Sequence, residues 1–256
     1  MSYTLLITGA STGLGAAIAR RMATRGNCLI LVARNIARLQ ETAEACRQAG
    51  ANDVHIHAID LSDSDAVAAW LPTLPAIDVL INNAGYGIFK PALDCSNAET
   101  AALFQLNTLA MIQLTQGIAP AMVAKGRGHI IFIASQAGKI ATPKSAIYAA
   151  SKHAILGYAN ALRLELKPSG VIVTTVNPGP METPFFDSAD PDGSYRKKLG
   201  QYWLLNPENI AALTCAAIGK NVREINRPRL MNLATNLYPL LPRLGDWLTV
   251  KFFDRK

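Results

Sequence analysis

Short apolar runs recur along the chain, alternating with stretches patterned as helices. The runs are Thr4–Thr8, Cys28–Val32, Val54–Ala58, Val79–Ile81, His129–Ala134 and Val171–Val176. They are rich in β-branched residues and carry almost no polar interruption, the pattern of strands buried on both faces. Their alternation with helices predicts an α/β fold, a doubly wound parallel sheet with helices on both faces. No linker, low-complexity segment or internal repeat divides residues 1–256, so the chain reads as a single domain. Two stretches stand apart. Residues of about 180–207 hold several prolines and polar residues, and an irregular segment that long in a compact domain reads as a functional lid over the substrate. A C-terminal extension, about 234–256, carries Leu237, Leu240, Leu241, Leu244, Trp247, Leu248 and Phe252 at three- and four-residue steps, one apolar helical stripe. Pro239 and Pro242 confine regular helix largely to the part after Pro242.

The first run meets Gly9-Ala10-Ser11-Thr12-Gly13-Leu14-Gly15 and then an evident helix. Strand, glycine-rich turn and helix N-terminus together make an anion site, where free N–H groups and the positive dipole end meet a pyrophosphate. Glycine permits the unusual dihedrals and the close approach of phosphate to backbone. The spacing is Gly-x-x-x-Gly-x-Gly, and a glycine-rich turn alone can be a plain tight turn. Directly after an N-terminal buried strand, the Rossmann-type dinucleotide reading wins.

The second run ends at Ala33-Arg34-Asn35. An acid there would bind the adenosine ribose hydroxyls and select NAD, whereas a basic residue accepts a 2′-phosphate. This chain has Arg34, with Arg38 one turn on, and a guanidinium fork suits a phosphate dianion. The alternative is a solvated loop arginine. The sequence therefore favours NADP(H).

Ser135, Tyr148 and Lys152 supply candidate chemistry. Residues four apart share a helix face, so the Tyr148 phenol and the Lys152 ammonium can lie side by side. A neighbouring cation is expected to lower the phenol's pKa and to make proton exchange with an alcohol or ketone feasible. Alone the pair is a weak signal, because helices are rich in solvated Tyr-x-x-x-Lys neighbours.

Taken together, Thr8 to Gly15, Asp60-Leu61, Asn82-Asn83-Ala84-Gly85, Asn107, Ser135, Tyr148 with Lys152, and Pro178-Gly179 resemble the classical short-chain dehydrogenase/reductase family across nearly the whole length. The resemblance implies that Asp60 and Leu61 flank the adenine and that Asn83, Ala84 and Gly85 run beside the adenosine ribose. It further implies that Asn107 holds a helix kink and a water of the proton relay, and that Pro178, Gly179 and Thr183 line the nicotinamide side. Read singly, Asn82 to Gly85 could be a turn, Asn107 a surface residue and Pro178-Gly179 a strand end. The tail departs from the family pattern. It lacks the paired glycines of the usual last strand, which argues against the usual tetramer, and it is more similar to hydroxysteroid-dehydrogenase-like members, whose C-terminal helices border an apolar pocket.

Composition sharpens this only in part. Half of the residues are hydrophobic and 17% charged, which supports a filled core and excludes disorder. Cys28, Cys46, Cys95 and Cys215 are scattered and read as free thiols of a cytoplasmic enzyme. His55 and His57 share a strand face, but with no third ligand in view they read as ordinary histidines, and no metal is expected. The N-terminus shows no signal peptide, and no stretch is long enough to span a bilayer. The net charge is +7, and the segment from Lys220 onward, with eight Lys/Arg and three Asp/Glu, carries +5 of it. No nucleic-acid motif accompanies that charge, so no nucleic-acid partner is expected.

The sequence thus points to an NADP(H)-dependent oxidoreductase interconverting a carbonyl and a secondary alcohol. The bound cofactor carries the hydride, Ser135 holds the oxygen and Tyr148 exchanges the proton. Lys152 tunes Tyr148 and binds ribose, and Asn107 links Lys152 to water. Phe185, Phe186, Tyr195, Tyr202 and Trp203 would line a pocket for an apolar or aromatic ketone. A homodimer is expected, with its tail closing the cleft; peripheral membrane contact through the basic, Trp-bearing tail is the lesser reading. The rivals are a non-catalytic NADP(H)-sensing Rossmann protein and an epimerase or dehydratase, which also use Tyr-x-x-x-Lys.

Overall fold

The computed structural model describes residues 2–140, 142–193, 195–196 and 204–253. Tyr202, Trp203, Arg255, Lys256 and the side chain of Phe252 lie outside them. Seven strands form one parallel sheet in the order β3-β2-β1-β4-β5-β6-β7. They are β1 (Thr4–Thr8), β2 (Cys28–Ala33), β3 (Asp53–Ala58), β4 (Val79–Asn82), β5 (Gly128–Ile133), β6 (Val171–Pro178) and β7 (Glu224–Arg227). The predicted apolar runs match the first six to within a residue or two, the usual uncertainty of element ends.

Successive strand residues point to opposite faces, and both faces are covered. Leu5 and Ile7 face one core with α1 (Gly13–Ala23), α2 (Ile36–Gln48) and the helix Pro207–Ala217. Leu6 faces the other, with Trp70 of α3 (Ser64–Trp70), Leu114 of α5 (Ala110–Ala124) and Ile155 of α6 (Ala146–Leu166). Leu5, Leu6 and Ile7 are all fully buried, which explains why β1 reads as an unbroken apolar run rather than an alternating one.

The sheet order reverses between β1 and β4, so the connections leaving these strands diverge and open a crevice at their carboxyl ends. Helix α4 (Asn97–Phe104), with its Ser96–Glu99 capping box, follows the β4 loop. It continues through a π-type turn, Gln105–Leu109, into α5; there the Ala110 amide reaches back to the Gln105 carbonyl.

Strand β7 was not among the predicted runs. Its four residues include a single aliphatic one, Ile225, because an edge strand needs little apolar surface. Polar partners hold it instead. Lys139 pairs with Glu224, Asn177 donates to Asn226 at 2.8 Å, and the Gly179 amide donates to the Arg227 carbonyl at 2.7 Å. The sheet is therefore completed without the paired glycines.

The segment after β6 is less irregular than expected. It contains α7 (Phe185–Ala189), and its base is tied by the Met181–Leu205 bridge. Among the described residues, α8 (Pro207–Ala217), α9 (Arg229–Leu237) and α10 (Pro242–Phe253) follow in chain order. Helix α10 begins at Pro242, as proline's tolerance in a first turn requires.

Candidate active site

The glycine turn is built for close approach. Gly9 and Gly13 have φ of +63° and +55°, a region that side-chain-bearing residues rarely adopt. A Cβ on Gly15 would stand 2.2 Å from the Gly9 carbonyl oxygen, so only glycine lets the first turn of α1 sit against the loop. Thr12 precedes α1 in extended conformation and no side chain caps the helix, which leaves its first amides and its dipole for an anion.

This turn is locked to the β4 loop by a residue the sequence reading left without a role. The Thr8 hydroxyl accepts hydrogen bonds from the Asn83 and Ala84 amides, both at 2.9 Å, while Asn83 Nδ2 donates to the Thr8 and Gly9 carbonyls. Ser11, Thr12, Gly13, Leu14, Arg34, Asn35, Arg38, Asp60, Leu61, Asn83, Ala84 and Gly85 all border one cleft of about 1370 Å³. Gly15 supports it from behind. Asn35 spends its side chain as the cap of α2, accepting from the Arg38 amide at 3.0 Å. Arg34 projects into solvent, 73% exposed, with its nearest acid, Asp60, 3.9 Å away. Asp60 is itself held by the Ser62 hydroxyl and amide. A pair that open to water is weak, so the guanidinium is free to take a ligand.

The same cleft runs on to Ser135, Tyr148, Lys152, Pro178, Gly179 and Thr183. Ser135 follows β5 and its hydroxyl accepts from the Ala137 amide at 3.0 Å. Tyr148 and Lys152 share one face of α6, as their spacing predicts, and are 7% and 4% exposed. Asn107 lies in the π-type turn and is fully buried, not a surface residue. Its carboxamide exchanges hydrogen bonds with the Tyr86 backbone at 3.0 and 2.8 Å and donates to Ser151 at 3.2 Å. Such turns accommodate one extra residue and recur at functional sites. A Cβ on Gly85 would lie 2.8 Å from Asn107 Oδ1 and 3.6 Å from Lys152 Nζ, so both groups face that glycine.

One electrostatic expectation fails. Burial pushes the Tyr148 phenol upward; a hydrogen bond from Ser135 offsets part of that rise and Tyr195 adds to it. Burial also drops Lys152, to about 8. Lys152 Nζ donates to the Ile133 carbonyl at 3.0 Å and sits 5.9 Å from the centre of the Tyr148 ring. Losing water disfavours both charged forms, and at this separation the ammonium does not reverse the penalty on phenolate. The phenol is therefore kept as an acid.

Aromatic side chains surround the phenol. Phe89, which the sequence reading missed, stacks on Tyr195 at 4.2 Å between centroids and meets Tyr148 edge-on at 5.5 Å. Phe185 stands 5.7 Å from Tyr148, and Phe186 is buried against Phe89. The only signal for Phe89 in the sequence was its place in the loop after Gly85. Beyond the aromatics, the tail borders the cleft with Leu237, Leu241, Leu244 and Leu248. These leucines are not core residues; each keeps roughly half its surface exposed.

The histidines also differ from expectation in detail. His57 accepts from Trp70 Nε1 at 3.1 Å, while His55 lies 2.8 Å from Asp53 and close enough to Cys28 for three ligand types to meet. The third ligand missing from the histidine pair thus stands beside His55 alone, on the exposed sheet edge. Among the described residues no helix is long and apolar enough to cross a membrane.

With this geometry established, the comparisons with known proteins agree. The family model for short chain dehydrogenase matches residues 3–193. The ketoacyl reductase HetN of Nostoc sp. is 37% identical over 99% of this chain and 91% of its own length. A metagenomic short-chain oxidoreductase solved with NADP is 34% identical with a TM-score of 0.75, over 88% of this chain and 97% of that one. A short chain dehydrogenase/reductase from Burkholderia phymatum solved with NAD is 25% identical with a TM-score of 0.84, over 95% of each chain. The glycine turn, the buried Ser135-Tyr148-Lys152 group and these likenesses together establish that the chain belongs to the short-chain dehydrogenase family of oxidoreductases.

Proposed function

We propose that this protein reduces a ketone or aldehyde with NADPH, and runs the reverse alcohol oxidation with NADP⁺. The observation that carries the reading is the buried phenol of Tyr148, sharing with Ser135 and Lys152 a cleft continuous with the glycine turn. The cleft fits a dinucleotide because Gly9, Gly13, Gly15 and Gly85 clear space that any Cβ would fill or strain, and because the first turn of α1 is uncapped. Arg34, with Arg38 beside it, supports the 2′-phosphorylated form. When bound, the nicotinamide supplies the hydride.

The chain's own residues do the rest. Ser135 and Tyr148 donate hydrogen bonds to the carbonyl oxygen and polarise it in a site screened from water by Phe89, Phe185 and Phe186. As negative charge develops on that oxygen, Tyr148 gives up its proton. The high pKa of the isolated phenol suits this acid role, since the proton stays on Tyr148 until an alkoxide-like oxygen takes it. Lys152, protonated below about pH 8, supplies a cation that steadies the phenolate left behind and a donor for ribose hydroxyls. Asn107 stands beside Lys152 around Gly85, placed to relay a replacement proton through water.

The aromatic lining favours an apolar or aromatic carbonyl. The same reading places the protein in the cytoplasm as a homodimer with the tail over the cleft mouth. The test is a panel of ketones and aldehydes with NADPH and with NADH. Turnover with NADPH preferred supports the proposal. Preference for NADH overturns the cofactor assignment, and tight NADPH binding without any turnover would favour a sensing role.

A further inference from the structure

The reactive end of the cleft and its far end differ in kind. Around Tyr148 the walls are aromatic and closed: Phe186 and Tyr195 are 5% and 7% exposed. From there the cleft continues to α9 and α10, where Leu233, Leu237, Leu241, Leu244 and Leu248 border it with 47–56% of their surface exposed. Leu233 and Leu237 lie on α9, Leu244 and Leu248 on α10 and Leu241 in the turn between them, and all five line the cleft. Soluble chains seldom leave that many neighbouring leucines open without a use for them. Charged side chains of the same segment keep away: none of Arg229, Arg243, Asp246 and Lys251 borders the cleft. The α9–α10 wall borders the cleft without a charge, and the charge that α7 adds beside the aromatic rings is an acid, Asp187, so this end fits neither a phosphate nor a carboxylate. The cleft also exceeds the roughly 300–1,000 Å³ usual for one ligand, leaving space beside a dinucleotide.

On the carbonyl-reductase reading above, we infer that α9 and α10 form a subsite for an unbranched aliphatic chain, so that the substrate is a long-chain carbonyl compound. Its oxygen meets Ser135 and Tyr148, and its methylenes lie along Leu237, Leu241, Leu244 and Leu248. The continuity of this cleft is the ground for choosing this occupant over a second copy, because the leucines border the same cleft as Ser135 and Tyr148. Leu240 and Trp247, on other sides of the same segment, do not border it.

The experiment uses the full chain with NADPH and two homologous series, 2-alkanones and n-alkanals of four to twelve carbons. Each methylene that reaches the leucines should raise kcat/KM by about 3- to 4-fold, the value of one buried CH₂. In the double variant Leu241→Gln/Leu248→Gln the gain per methylene should fall below about 2-fold. Both positions are half-exposed, so the substitution leaves the core intact. Leu240→Gln, 73% exposed and off the cleft, should keep the wild-type gain. A wild-type profile that does not depend on chain length overturns the subsite, whatever the variants do. So does a double variant that keeps the full gain, or that changes only the particle mass in light scattering, which would assign the leucines to a contact between copies. Failure of every ketone and aldehyde with either nicotinamide cofactor would instead remove the underlying reductase reading.

Discussion

Leu5 and Leu6 in β1 are wholly buried, whereas Leu241 and Leu248 in the tail keep about half their surface. The residue type is the same and the outcome opposite. In β1 each leucine has a helix layer waiting on its side of the sheet, so burial is complete and the position is fixed by packing. Leu248 sits on α10 and Leu241 in the turn before it, with the cleft on one side and solvent on the other. The first region builds the dinucleotide cradle and tolerates little change; the second shapes what enters and has room to vary. On the proposed reading, chemistry is held by a rigid scaffold and selectivity by an appended wall.

The sharpest way to break this division is at the phenol. Tyr148→Phe should lower kcat by about 10²- to 10⁴-fold, the usual worth of a positioned acid, while the NADPH dissociation constant moves by less than about 3-fold. Steady-state kinetics with a fluorescence titration of NADPH separates the two, and a variant that retains most of its turnover would refute the proton-donor role. Lys152→Ala should harm both quantities, since its cation serves phenol and ribose alike. The pH profile carries the same test. Its pKa, lowered from 10.5 to about 8, leaves the cation present below pH 8 and removes it above. Ketone reduction should be level up to about pH 8 and fall about tenfold by pH 9, with no rise that tracks phenol ionisation. A profile level to pH 10 would show that the cation is not required.

Arg34→Ala should weaken NADPH binding by roughly tenfold and leave NADH binding nearly unchanged, because one charge-assisted contact is lost from an exposed side chain. Equal losses for both cofactors, measured by calorimetry, would refute the phosphate role. Truncation after Asn236 should have the smallest effect on the cofactor end: NADPH affinity unchanged within about 2-fold, the Michaelis constant for an apolar ketone raised several-fold. A truncated protein with unaltered kinetics and particle mass would show that the wall is dispensable and would collapse the comparison.

Much of the cradle was legible because it is local. Thr8 to Gly15 must make a strand, a turn with positive φ and a helix start within a few residues, and few sequences can do that. The four-residue step from Tyr148 to Lys152 likewise fixes a shared helix face. The edge strand β7 was not legible, since its stability comes from Lys139, Asn177 and Gly179, far away in sequence and without an apolar signature of its own. Phe89 was missed for the same reason: a phenylalanine in a loop says nothing until Tyr148, Tyr195 and Phe185 gather around it.

By itself, the sequence determined the parallel α/β sheet, the glycine turn and the shared helix face of Tyr148 and Lys152, because period, φ requirement and helical spacing are properties of neighbouring residues. Tertiary structure alone decided the electrostatics and the shape of the site. Burial, which no local pattern encodes, turned the expected easing of the Tyr148 pKa into a rise and brought Lys152 down to about 8. The way α9 and α10 come back across the sheet's carboxyl edge turned an amphipathic stripe into the wall of a cleft. Desolvation and long-range contact depend on what the whole chain encloses, and that is set only once it has folded.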